Sequence, residues 1–230
     1  MNRLIAASIS LLLVLASSAP AVTPDLTWEM LNAEVLSLYR QGQYQQGMEV
    51  AKKALKVAEQ AGGLYHPTVA LSMNNLALLH KAQGQYEQAE RLYLFSLMLG
   101  EEARGLHHPS VATTLNNLGA LYNAQGWYAK AEPLHRRALD IKEKALGPDH
   151  LSVALSLSNL AECHSNQGRY AQAEPLYQRA LTIRERALGP GHPAVARSLE
   201  ALAVVYQETA RPDEATALRK RAAAIDAERH

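Results

Sequence analysis

Apolar side chains recur at helical spacing along most of the chain, in blocks that resemble one another. In one block Val111, Leu115, Leu118, Leu121 and Tyr122 mark a single face of a 3.6-residue helix, and Ala131, Leu134, His135, Ala138, Leu139 and Ile141 mark a second. His108-Pro109 predicts the start of the first helix, with proline in the turn where its missing N–H is not needed. Gly126 predicts its end and Trp127-Tyr128 the entry to the second helix, which Gly147-Pro148-Asp149 closes. Pro133 and, one block later, Pro175 read as first-turn prolines, each with a slight kink.

The blocks keep an interval of 42 residues: His66-Pro67, His108-Pro109, His150-Leu151 and His192-Pro193 share one frame. Gly84, Gly126 and Gly168 follow it, as do Tyr86, Tyr128 and Tyr170, and Ala89, Ala131 and Ala173. Asn75, Asn117 and Asn159 share one position, and Leu76, Leu118, Leu160 and Leu202 the next. An earlier unit carries Gly42, Tyr44 and Gly47 in frame. Its first half, Leu31 to Tyr39, reads one residue out of step, because Tyr39 lies three before Gly42 whereas Tyr122 lies four before Gly126. The expected units are 24–65, 66–107, 108–149, 150–191 and 192–230 within a repeat domain of 22–230. One hairpin cannot bury both faces of its helices, so neighbours must stack. The fold class is therefore all-α, a solenoid of about five stacked helix–turn–helix hairpins. Small residues at Gly119 and Ala131 predict close approach within a hairpin, and the last unit, with Ala210 and Pro212 in place of glycine and tyrosine, reads as a polar cap.

Composition fits this pattern. The chain has 230 residues, a formal net charge of +1 and 6% aromatic residues, with a single phenylalanine. Its core must be built from alanine and leucine, and the charge balance argues against nucleic acid as the main partner. One cysteine, Cys163, excludes an internal disulfide framework; it falls at a core position beside His164, a helical neighbour that faces elsewhere.

Met1-Asn2-Arg3 gives a positive start, Leu4 through Leu15 an uncharged apolar run, and Ala19-Pro20-Ala21 an A-x-A site. That layout predicts a secretory signal peptide over residues 1–21, cut after Ala21. The run is shorter than the ~20 residues a spanning helix needs, and the mature chain is expected to carry no membrane span. Losing Arg3 leaves equal numbers of acidic and basic side chains. The expected location is periplasmic or secreted.

The stretch Leu115-Asn116-Asn117-Leu118-Gly119-Ala120-Leu121-Tyr122, followed by Gly126, Tyr128 and Ala131, resembles the tetratricopeptide repeat family, in its 42-residue variety known from kinesin light chains. Arg137 through Gly147 carries the same resemblance. It implies a right-handed superhelix whose first helices line a concave groove that holds an extended peptide or a partner helix. By that resemblance Asn75, Asn117 and Asn159 face the groove, where an amide, with donors and an acceptor, suits a peptide main chain. An alternative use is a local bond that fixes stacking between units. Asn74, Lys81, Asn116, Asn123, Glu162 and Arg197 are the remaining candidate groove residues, and the partner is an unidentified protein or peptide.

Two other readings compete. The first is self-assembly, with terminal units stacking into a homo-oligomer. In the second, nine histidines supply a metal site or an enzyme. His66, His108, His150 and His192 each open a different unit, too far apart to share a zinc, and no HExxH accompanies them. Capping is the better account. Without GxSxG, a P-loop or a dinucleotide fingerprint, the expectation is a non-enzymatic protein with no cofactor and no metal. Trp127, where other units carry Gln43, Gln85 and Arg169, reads as a cover for its own hairpin or an interface anchor.

Overall fold

A computed structural model describes residues 24–227. The expected leader, residues 1–21, lies outside the described residues. The described chain is ten helices and the turns between them: α1 (Pro24–Arg40), α2 (Tyr44–Gly62), α3 (Pro67–Ala82), α4 (Tyr86–Arg104), α5 (Pro109–Ala124), α6 (Tyr128–Leu146), α7 (Leu151–Ser165), α8 (Tyr170–Leu188), α9 (Pro193–Glu208) and α10 (Pro212–Ala227). Each odd-numbered helix pairs with the even one after it, and each even one packs on the next hairpin. Successive first helices also approach one another, α1 to α3, α3 to α5 and α5 to α7, while the second helices make no comparable approach. That asymmetry curves the stack and puts the first helices on its inner side.

The turns explain why the frame is so strict. At Gly126, φ is +74°, a left-handed conformation that glycine adopts without a β-carbon clash. Trp127 N–H then donates to Tyr122 O at 2.9 Å and Gly126 N–H to Asn123 O at 3.0 Å, the paired bonds of a Schellman stop. The same pair recurs in the first unit, where Gln43 N–H donates to Leu38 O and Gly42 N–H to Tyr39 O. Leu38, not Tyr39, therefore stands in Tyr122's place. The first unit is in step after all; reading it by its tyrosine misplaced it.

Histidines open α3, α5, α7 and α9. In each, Nδ1 accepts the backbone N–H two residues on, from Thr68, Ser110, Ser152 and Ala194. An imidazole here does the work usually given to Ser or Asp, satisfying a first-turn donor. Pro133 and Pro175 are each the sixth residue of their helix, one turn deeper than expected. Both helices continue through them.

The core crosses unit boundaries. Leu118 and Leu121 of α5 pack with Ala77 and Tyr93 of the preceding hairpin and Cys163 of the next. Ala89, Ala131, Ala173 and Ala215 are fully buried, letting each hairpin close. On the outer side, ion pairs join consecutive units: Arg137 to Glu101 (2.6 Å), Arg179 to Glu143 (2.5 Å) and Arg221 to Glu185 (2.6 Å) in one row. Arg169 to Glu132 (2.9 Å) and Arg211 to Glu174 (2.6 Å) form a second. Both rows lose their arginine toward the N-terminus, where the frame carries Phe95 and Trp127. Trp127 lies under the Lys130 ammonium, 4.4 Å from its ring, and covers its own hairpin against Tyr122.

Candidate partner-binding groove

The inner face offers three hollows in series. The first, about 310 Å³, lies among α1, α3 and α5 and is lined by Asn32, Leu36, Leu78, Asn75 and Asn117 among others. Next comes one of about 180 Å³, with Lys81, Ala120, Asn123 and Glu162 on its walls. Glu162 also lines the third, of about 370 Å³, with Ser158, Tyr177, Arg184, Arg197 and Ser198.

Four asparagines bridge the first two junctions. Asn117 Nδ2 donates to Asn74 Oδ1 at 2.9 Å, Asn74 Nδ2 to Asn75 Oδ1 at 3.3 Å, and Asn75 Nδ2 to Asn32 Oδ1 at 2.5 Å. The bonds run without a break from α5 through α3 to α1. Asn32 was not among the expected positions; reading the first unit out of step concealed that it shares the frame of Asn74 and Asn116. Each amide has a further donor or acceptor outside this relay, but the bonds made fix one helix against the next.

The relay stops at the third unit. Asn116, expected in the groove, is 2% exposed and points between helices: its Nδ2 donates to Ser156 Oγ at 2.7 Å, and its Oδ1 takes the His135 Nδ1 proton at 3.2 Å. An amide so engaged is closed to a ligand. Asn159 is half-buried, and among the described residues its side chain makes no hydrogen bond. Ser158 Oγ, in the frame of Asn116, is buried without a partner on the wall of the third hollow. The two frame positions bonded in α3, Asn74 and Asn75, are thus left open in α7.

Charge is uneven along the groove as well. Arg184, on α8, donates to Ser198 Oγ at 2.5 Å and Ala154 O at 3.3 Å, and it belongs to none of the ion pairs among the described residues. Burial, and then the nearby Arg197, press its pKa below the ordinary value, with Tyr177 opposing. Two guanidinium groups therefore share the third hollow with the Glu162 carboxylate. Sequence reasoning found Arg197 and Glu162 but missed Arg184, which sits on a second helix, where the frame predicts an outward or core role. Lys81 is half-buried; burial lowers its pKa while Glu162 opposes the shift. Asn123 is buried with Oδ1 unpartnered at the middle hollow.

Among the described residues no three His, Cys, Asp or Glu side chains converge on a point that could hold a metal, and no helix is long and apolar enough to cross a membrane. The tetratricopeptide repeat family matches residues 29–97, 79–144, 110–186 and 152–228. No curated protein matches the chain in sequence. Among solved structures, BtubC (BKLC) from P. vanneervenii is 22% identical with a TM-score of 0.75, covering 89% of this chain and 81% of that one. A Podosopora anserina putative kinesin light chain with nearly identical TPR-like repeats is 24% identical with a TM-score of 0.69, over 90% of this chain and 98% of that one. A Rap protein complexed with Competence and Sporulation Factor is 16% identical with a TM-score of 0.74, over 90% of this chain and 55% of that one. These likenesses show the fold, an all-α repeat solenoid.

Proposed function

Because the chain belongs to the tetratricopeptide repeat family, we propose that it is an exported, non-catalytic scaffold that holds an extended segment of a partner protein in its inner groove. Binding centres on the C-terminal half. The observation that carries this reading is the contrast along the groove: Asn32, Asn74, Asn75 and Asn117 of α1, α3 and α5 bond one another, whereas Ser158 of α7 has an unbonded hydroxyl on the wall it shares with Arg184 and Arg197. An unsatisfied buried hydroxyl costs free energy that a bound peptide group recovers. Two guanidinium groups favour an acidic side chain in the bound segment, and Glu162 favours a donor beside it. A structural neighbour, the Rap protein, is itself seen complexed with Competence and Sporulation Factor, which supports reading such a stack as a holder of a second molecule.

Selection from a random-sequence peptide library tests the reading. Peptides recovered on the protein are expected to carry Asp or Glu, to lose about tenfold in affinity with Arg197→Glu, and to tolerate Arg136→Glu on the outer face. Peptides equally sensitive to both variants, or to neither, would overturn it. Export is tested by N-terminal sequencing of the secreted protein, with Val22 expected as the first residue.

A further inference from the structure

The outer face of α4 differs from that of every other second helix. At its outermost positions α4 carries Leu94, Phe95 and Met98, exposed at 46%, 37% and 50%. The frame puts Lys52, Arg136, Gln178 and Lys220 at the place of Leu94, and Lys53, Arg137, Arg179 and Arg221 at that of Phe95. Met98 stands where the others have Lys56, Asp140, Thr182 and Ala224. Leu106, 54% exposed, extends the patch into the following turn, and the surface dips there into a hollow of about 500 Å³ floored by Leu94, Leu97 and Met98. Replacing Arg with Phe95 also forfeits the ion-pair rung to α2 that the three later units keep. A position that gives up an inter-unit contact to display an aromatic ring calls for something to cover it.

The stripe names its own occupant. Along one line of the helix surface run Arg91, Leu94 and Phe95, Met98 and Glu102, with a cation at one end, an anion at the other and apolar side chains between. Reversed, that order is its own complement. Two copies of α4 laid antiparallel, with the two-fold axis crossing between Ser96 and Leu97, set Phe95 against Met98 of the partner subunit and Arg91 against Glu102 of the partner subunit. Each contact then occurs twice, as an isologous interface requires. Among the described residues Arg91 pairs with Glu87 of its own helix, at 3.4 Å with both side chains exposed, a pair of small worth that gives way readily. From this self-complementarity we infer that α4 is a dimerisation surface through which two copies associate back to back, leaving both inner grooves open. One helix per partner is a small interface, so the dimer is concentration-dependent, with Kd on the order of 10 µM. The inference concerns the opposite face from the groove and does not rest on the proposed function.

Sedimentation equilibrium on the purified protein from about 2 to about 200 µM is the test, a range that brackets the expected Kd. The native protein should pass from monomer to dimer across it. Phe95→Arg with Met98→Asp, which gives α4 the residues α6 carries there, should be monomeric throughout with undiminished melting. Arg91→Glu should weaken association about tenfold, and adding Glu102→Arg should restore it. Both charged residues are exposed, so this pair decides the matter even if the apolar variant folds poorly. A native protein that stays monomeric overturns the inference, whatever else binds α4. So does a dimer that survives Phe95→Arg with Met98→Asp, or an Arg91→Glu defect that Glu102→Arg leaves unrepaired.

Discussion

The His135 imidazole fills the space a side chain on Gly119 would need: a β-carbon there would stand 2.6 Å from His135 Cε1. The other units place Val35, Ala77, Ala161 and Ala203 at this position, so the glycine is specific to the hairpin that holds the histidine. The ring is fully buried and bonded to Asn116, which leaves it little room to yield. Gly119→Ala is expected to lower stability by about 1–2 kcal/mol, overpacking outweighing the roughly 1 kcal/mol that alanine gains in helix propensity. Urea unfolding checks this, and an unchanged or raised midpoint would show that the ring moves freely.

His135 also makes the fold acid-sensitive. Burial, and next the Lys81 ammonium, push its pKa down to about 4. An unfolded histidine takes up its proton near pH 6.5, so between those values the unfolded chain binds more protons and stability falls as pH falls. Full stability from this group is present above about pH 6.5, and about 2–3 kcal/mol of it is gone at pH 4.5. His135→Gln should remove that share of the pH dependence. Unfolding free energies of the two proteins at pH 7 and pH 4.5 provide the comparison.

Ala210 sits at a position glycine holds in the other units, with φ at +57°. Its neighbours keep the turn: Arg211 N–H still donates to Tyr206 O at 2.9 Å, and the Arg211 guanidinium binds Glu174. A β-carbon in this conformation costs about 1–2 kcal/mol. Ala210→Gly should recover part of it, about 0.5–1 kcal/mol after the added backbone freedom of the unfolded chain. Thermal melting should rise by a few degrees, and a fall would mean that the strain is relieved elsewhere.

The interval of 42 residues made the hairpins, their caps and Leu118's place in the core readable, because each depends on local geometry repeated in frame. The direction of an amide is different. Asn116 and Asn117 are adjacent and of one type, yet one is locked to His135 and Ser156 while the other reaches back to Asn74. Which does which follows from the helix crossing angle and from the histidine that Gly119 admits, and neither is visible in a periodicity. Arg184 escaped notice for a related reason: its helix faces outward on average, and the packing of α8 on α9 turns this side chain, with that of Tyr177, to the groove. Phe95 was visible all along, but only its exposure gives the departure from frame a meaning.

Asn117 and Asn159 occupy the same frame position and separate support from recognition. Asn117→Ala deletes the bond to Asn74 and leaves a buried carbonyl oxygen without its donor, which costs about 1–3 kcal/mol. Alanine's helix propensity offsets about 0.5 kcal/mol of that, so a net loss of about 1–2 kcal/mol is expected. Asn159→Ala breaks no hydrogen bond among the described residues, and its melting should stay within about 0.5 kcal/mol of the native protein or rise slightly. For a library-selected peptide the order should reverse, with Asn159→Ala weakening binding several-fold and Asn117→Ala doing so little. Denaturation and peptide titration on the same two variants give all four values. If Asn159→Ala leaves both stability and affinity untouched, the open amide of α7 serves neither purpose, and binding must rest on the arginines alone.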